Sequence, residues 1–156
     1  MRTTILLIAV LLLGLMAGLF YAYAGSVMPG MRRAADRAAV DVMQRINLAI
    51  QNPLFLVIFT GALIFTGIAT FQNAGRSEVF VPLLIALVLY GLTLAITGVF
   101  NIPLNNQLDR AGDPDQIEDL AAVRAAFFPR WVRFNILRTV TSVAAFLAGC
   151  WALLEY

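Results

Sequence analysis

Hydrophobic and polar positions divide this chain into four apolar stretches, at 4–24, 54–71, 80–100 and 135–154, separated by more polar connections. A bilayer core is crossed by about 20 apolar residues in helical form, so each stretch is long enough to span. The connection 72–79 is short and contains Gly75, which predicts a tight antiparallel hairpin of the second and third spans. The connections 25–53 and 101–134 are long but patterned. Met31, Ala35, Ala38, Val42, Ile46 and Ala49 recur at spacings of three and four, one face of an amphipathic helix. Pro29-Gly30 is expected to break the chain before that helix and Asn52-Pro53 to end it,. In the second long connection Asp113 can cap a helix with Pro114 at its first position and Gln116 at its third,. That helix should reach Phe128, with Pro129 restarting the chain into the last span,. The expectation is an all-α integral membrane protein: a four-helix up-down bundle, one domain over 1–156, with amphipathic interfacial helices in the two long loops.

Composition supports the membrane reading and narrows the chemistry. The 156 residues are 61% hydrophobic and 13% charged, against about 45–50% and about 25% for soluble domains. There is no His and a single Cys, Cys150, within an apolar stretch. An intrachain disulfide is impossible, and a metal or haem site built on imidazole or thiolate is not expected. All eleven basic residues are Arg, read here as a high-GC coding bias and hence a bacterial source. A net charge of +2 with no basic face implies no nucleic-acid partner,. Arg32, Arg33, Arg37, Arg45, Arg110, Arg124, Arg130 and Arg133 fill the two long loops, against Arg2 and Arg76 on the opposite side. The positive-inside rule then places both loops in the cytoplasm and both termini outside, in a bacterial inner membrane. Ala22-Tyr23-Ala24 before Gly25 imitates a signal-peptidase site,. Cleavage there would leave those eight Arg outside, so the first span is expected to be retained.

Polar residues in the spans fall on stripes. Trp131, Asn135, Arg138 and Ser142 share one face of the last span; Tyr90, Thr93 or Thr97, and Asn101 share a face of the third,. Gly14, Gly18, Tyr21, Gly25 and Met28 form a stripe on the first, where Gly14-x-x-x-Gly18 permits close helix approach,. For the glycines and threonines, packing is the preferred reading. The Arg and Asn residues are costlier: an Arg at mid-bilayer costs about 2.5–3.5 kcal/mol on insertion scales, so it marks a candidate site. The third and fourth spans are antiparallel, which puts Asn101 and Asn135 at similar depth. Pro103 has no N–H, so the Val99 carbonyl loses its helical partner,. Arg138 either snorkels to the headgroups or turns inward to that carbonyl or Asn101. In the second case Arg138 and the amides converge beneath Trp131 in a pocket suited to a flat, oxygen-bearing aromatic molecule.

Four motifs carry a family resemblance: Met28-Pro29; Met43-Gln44-Arg45-Ile46-Asn47 with Asn52-Pro53; Phe100-Asn101-Ile102-Pro103-Leu104-Asn105-Asn106; and Trp131-x-x-x-Asn135-x-x-Arg138. In this order the chain resembles the anthrone oxygenase-like small membrane proteins. The resemblance implies a four-helix membrane bundle and, from fungal relatives, oxidation of anthrones to anthraquinones in polyketide biosynthesis. Without His, such a reaction here would use no cofactor. Arg138, Asn101 and Asn135 would stabilise the developing oxyanion. Trp131 and Asn105 would orient the ring, with Asn47 and Tyr21 as further substrate contacts. Asp109, the carboxylate nearest in sequence, is the candidate base.

Two other readings use the same residues. One is a non-catalytic binder of a quinone, lipid or other apolar molecule. The other is an accessory or structural subunit of a membrane complex, with Arg138 and the asparagines as interhelical glue. A homo-oligomer is compatible with each. Tyr23 reads as a packing residue beside Tyr21, Cys150 as small apolar core, and Trp151 and Tyr156 as interfacial aromatics,.

Overall fold

The computed structural model describes residues 2–156, and no strand occurs among them. The helices are α1 (Arg2–Ala22), α2 (Met28–Arg33), α3 (Asp36–Ala49), α4 (Pro53–Gln72), α5 (Ser77–Ile96), α6 (Ile102–Asp109) and α7 (Leu120–Leu154), with π-turns at Tyr23–Val27 and Thr97–Asn101. Four helical runs are long and apolar enough to cross a membrane: Arg2–Arg33, Pro53–Gln72, Ser77–Asp109 and Leu120–Leu154. In the bundle α1 packs on α4 and α7, and α5 on α4 and α7, closing a ring of four. Outward-facing residues such as Leu11, Val57, Val88 and Val140 stay apolar and exposed, as a lipid-facing surface requires.

Three of the runs are longer than the apolar pattern foretold. Pro29-Gly30 lies inside α2, Pro103 inside α6, and Pro129 inside α7; none of them breaks its helix. For Pro29 and Pro103 the accommodation is the π-turn just upstream, where Met28 N–H reaches the Tyr23 carbonyl and Ile102 N–H reaches the Thr97 carbonyl. The wider turn resets the ladder before a residue that cannot donate to it. At Pro129 the orphaned carbonyl belongs to Ala125, and both residues are exposed, so that carbonyl can be met by water or headgroups. At 35 residues and about 1.5 Å per residue, α7 is about 50 Å long, well past the roughly 30 Å of a hydrocarbon core. Its first turns, with α2, α3 and α6, form a cap on the arginine-rich end.

The cap differs from the sequence expectation in two further ways. The helix break falls at Ala34-Ala35, both extended, and the buried face of α3 is Ala39, Val40, Met43 and Asn47. Of the expected stripe, Ala38, Val42 and Ala49 point outward, whereas Met31 is buried and Ile46 lines a cavity under the cap. Asn47 is a polar residue on the buried face, which hid that face from an apolar count. In the second loop Asp113 forms a turn, its Oδ1 accepting from Asp115 N–H at 2.9 Å, and α7 starts at Asp119, whose Oδ1 accepts from Ala122 N–H at 2.8 Å. Both aspartates have capping chemistry. Arg37 grips Asp115 through Nε and Nη2 at 2.6 and 2.7 Å, which ties the loop between them to α3.

Packing in the bundle explains the small residues and hydroxyls. A Cβ on Gly14 would meet the Phe146 ring at 2.9 Å, whereas one on Gly18 would meet nothing within 4 Å; of these two, Gly14 serves the α1–α7 approach, as Gly149 does from the α7 side, where a Cβ would lie 3.2 Å from Val10 and 3.3 Å from Leu13. Thr66, Thr70 and Thr97 return their hydroxyls to carbonyls one turn back at 2.6, 2.7 and 2.8 Å, and Tyr90 donates to the Phe59 carbonyl at 2.9 Å.

Candidate functional site

The polar convergence lies where the spans meet the cap. From α7 come Trp131, Asn135 and Arg138, 3%, 0% and 7% exposed. Asn101 enters from the second π-turn and Asn105 from α6, while Phe20 and Tyr23 come from α1 and the first π-turn; Met43 and Asn47 belong to α3. Both π-turns thus flank the same space, a placement common for π-bulges at functional sites. The space is a cavity of about 190 Å³ lined by Phe20, Tyr23, Asn47, Asn101, Asn105, Trp131 and Arg138 among others. That is below the roughly 300–1,000 Å³ of drug-sized ligand sites. Its lining also includes Leu56 on α4 and Ile102 on α6, 48% and 47% exposed. A wider groove of about 710 Å³ runs outside α7 but gathers no buried polar groups.

Arg138 turns inward, as one of the two sequence alternatives held, but it reaches neither the Val99 carbonyl nor Asn101. Its Nη2 donates to Asn135 Oδ1 at 2.9 Å. The guanidinium lies over the rings of Phe20 at 4.5 Å and Trp131 at 5.2 Å, a stacked arrangement natural for Arg. Asn135 in turn donates to the Phe20 carbonyl at 3.3 Å, which Thr139 also contacts at 3.0 Å. Trp131 is fixed by donation from Nε1 to Asn105 Oδ1 at 2.7 Å, and Tyr23 packs against it at 5.9 Å between ring centroids.

Two buried polar atoms at this site have no partner: Arg138 Nε and Asn101 Oδ1. Such atoms cost about 1–3 kcal/mol each when left unmade. The ion pairs among the described residues are Arg37–Asp115, Arg45–Asp41 and Arg124–Asp36, and none includes Arg138. A cation 7% exposed therefore sits by a cavity with no carboxylate in its lining. The cavity's only titratable lining groups are Arg138 and Tyr23. Among the described residues no three carboxylates, imidazoles or thiols converge as they would around a metal.

Of the sequence candidates, Arg138, Asn101, Asn105, Trp131 and Asn47 line the cavity. Asn135 stands behind Arg138 and orients it. Asp109 is exposed and outside the lining, linked to it only through Asn47 Nδ2, which donates to Asp109 Oδ1 at 3.2 Å. Tyr21 is 66% exposed and faces away. The tyrosine of the site is Tyr23, which the sequence reading set aside as packing. A signal for it existed: Leu6, Ala9, Leu13, Met16 and Phe20 are the buried stripe of α1, and the same spacing continues to Tyr23.

Fold and site together define a membrane-type four-helix bundle with a basic, aromatic-walled cavity under a helical cap. The family model described as anthrone oxygenase matches residues 41–148, and the chain belongs to that family. The match takes in the α3, α6 and α7 residues of the cavity and leaves Phe20 of α1 and Tyr23 of the first π-turn outside it. No curated protein and no solved structure matches the chain.

Proposed function

We propose that the cavity binds a flat aromatic ketone or phenol of the anthrone type and that Arg138 stabilises its oxygen as negative charge develops there. The observation that carries this reading is the buried Arg138 without a counter-ion, beside an unpartnered Asn101 Oδ1. A ligand oxyanion supplies the missing charge, and a ligand O–H supplies the missing donor to Asn101. Phe20, Tyr23 and Trp131 offer flat faces for the ring,.

Oxidation follows from the same contacts. Loss of a proton from the ring CH2 of an anthrone gives an enolate whose charge rests on the ketone oxygen near Arg138. That electron-rich anion reacts with O2 at the carbon. The CH2 becomes a second C=O, one oxygen atom enters the product, and the other leaves as water. Residues of this chain provide orientation, charge and proton transfer, with no cofactor in the proposed cycle. Water or hydroxide in the cavity takes the CH2 proton, and Tyr23, a neutral phenol facing the cavity, can give its proton to the peroxide oxygen that leaves as water. Turnover of an anthrone by purified protein under air, corrected for spontaneous oxidation with a boiled control, tests the reading. Excess conversion lost in Arg138→Gln supports it; no excess over several anthrones overturns it.

The lack of a carboxylate or imidazole in the lining favours a second reading, in which the cavity only holds a quinone. Retention of a quinone through purification without any turnover would establish that alternative. The arginine-rich cap is assigned to the cytoplasm of a bacterial cell. A Gln116→Cys variant in a Cys150→Ser background that reacts with an impermeant maleimide on intact cells would reverse that orientation.

A further inference from the structure

The wide groove outside α7 has a different character from the cavity. Its floor is Phe128, Val132, Ile136 and Leu137, and its rim carries Arg32, Arg124 and Arg133 with Asp36. Arg124 is already committed: it pairs with Asp36 and donates to the Ala34, Met31 and Arg32 carbonyls. That clamp holds the Arg32–Asp36 turn against α7. Arg32 and Arg133 remain on the rim, and neither belongs to an ion pair among the described residues. Three arginines against one aspartate leave the rim cationic.

The floor runs on into the outward face of α7, where Ile136, Leu137, Val140 and Leu147 are 49%, 44%, 61% and 61% exposed. In a bilayer that face meets acyl chains, so the groove is a lipid-side surface closed at one end by two free cations. We infer that this groove is a binding site for one anionic glycerophospholipid. Its phosphate sits between Arg32 and Arg133, and an acyl chain lies along Val132, Ile136 and Leu137. Charge complementarity selects the headgroup, and the continuous apolar floor selects a lipid over a free anion. A neutral zwitterionic lipid gains the floor but little from the rim. Each interfacial Arg strengthens an anionic-lipid contact about fivefold, so two give a preference of about thirtyfold.

Native mass spectrometry of the full chain in detergent tests this, with phosphatidylglycerol and phosphatidylcholine of matched chains added in equal amount. The expected result is one retained phosphatidylglycerol, favoured by about thirtyfold, a preference abolished in Arg32→Gln/Arg133→Gln and kept in the distant control Arg110→Gln. Circular dichroism and lipid-free melting establish that the double variant is folded. Should it not fold, each single variant is expected to lose about fivefold. Equal retention of the two lipids, an unchanged double variant, or an equal loss in Arg110→Gln would overturn the site. So would displacement of the lipid by millimolar inorganic phosphate, or a lipid-free dimer burying this face.

Discussion

Replacing Arg124 by Met should unclamp the cap and, through it, loosen the cavity. Arg124 lies at the second turn of α7 with its side chain 18% exposed. Its two terminal nitrogens serve four acceptors: the Ala34 and Met31 carbonyls at 2.9 and 3.0 Å, the Arg32 carbonyl at 2.8 Å, and Asp36. Those carbonyls end α2, whose last turn has no intrahelical donors to meet them. Met31 keeps a second donor in Ala34 N–H at 3.2 Å, so the losses fall on Arg32 and Ala34. Hydrogen bonds to a charged group contribute about 1.5–3 kcal/mol each when buried, and water at this rim lowers the figure. The Asp36 pair, with the carboxylate side chain 41% exposed, adds at most about 1 kcal/mol. The loss expected on Arg124→Met is therefore about 2–4 kcal/mol. Arg124→Lys should recover only the charge and not the fork of donors. The assay is denaturant or thermal unfolding in detergent, with limited proteolysis at 34–36. Because α3 hangs on this clamp and carries Met43 and Asn47 into the cavity lining, ligand affinity should fall as well. A loss below about 1 kcal/mol, the value of an ordinary surface pair, with the 34–36 turn still protected, would refute the reasoning.

Tyr23→Phe should retain the aromatic ligand yet lower turnover about a hundredfold, while Tyr21→Phe, on the exposed side of α1, should change neither; the two KM and kcat values separate these cases. Gly14→Ala should cost about 1–3 kcal/mol through the Phe146 contact, whereas Gly18→Ala, with open space around it, should be neutral or stabilising in the same unfolding assay. The Arg37 guanidinium holds the Asp115 carboxyl below the usual carboxylate range through their paired hydrogen bonds. A lowered carboxyl value adds stability above its unfolded pKa, about 3.9, and that stability is lost as pH falls through the folded value. Proteolysis of the 110–119 loop should therefore rise below about pH 4, a dependence that Arg37→Gln removes by leaving the loop open at neutral pH.

The four spans were legible because long apolar runs admit few alternatives, and the short 72–79 connection fixed one antiparallel pair. Trp131, Asn135 and Arg138 were legible because one uninterrupted helix carries them at spacings of four and three. Features that depend on helix irregularity were not. Pro29-Gly30 looked like a break and Pro103 like the loss of one carbonyl's partner, since nothing local in the sequence announces an i→i+5 turn. Tyr21 was preferred to Tyr23 because it shares a stripe with glycines, yet the buried face follows the large residues Leu13, Met16 and Phe20. On α3 the polar Asn47 belongs to the buried face, and counting apolar residues selected a neighbouring face that shares only Ile46 with the cavity lining. Asp113 and Asp119 have the same capping chemistry, and the loop that separates them is tied to α3 by the Arg37–Asp115 pair, a contact between residues 78 apart in sequence that local reading does not show.

The central claim is that Arg138 is a buried cation kept without a counter-ion so that a ligand's anionic oxygen can become one. The direct measurement is the visible absorption of a hydroxylated anthraquinone titrated with pH, free and bound to wild-type protein and to Arg138→Met. Binding beside Arg138 should lower the ligand's phenolic pKa by about 1–3 units, so the bound dye shows its phenolate spectrum where the free dye is neutral. Arg138→Met should bind the ring and lose that shift. A bound dye with the same pKa in both proteins, or one raised equally by burial in each, would contradict the account.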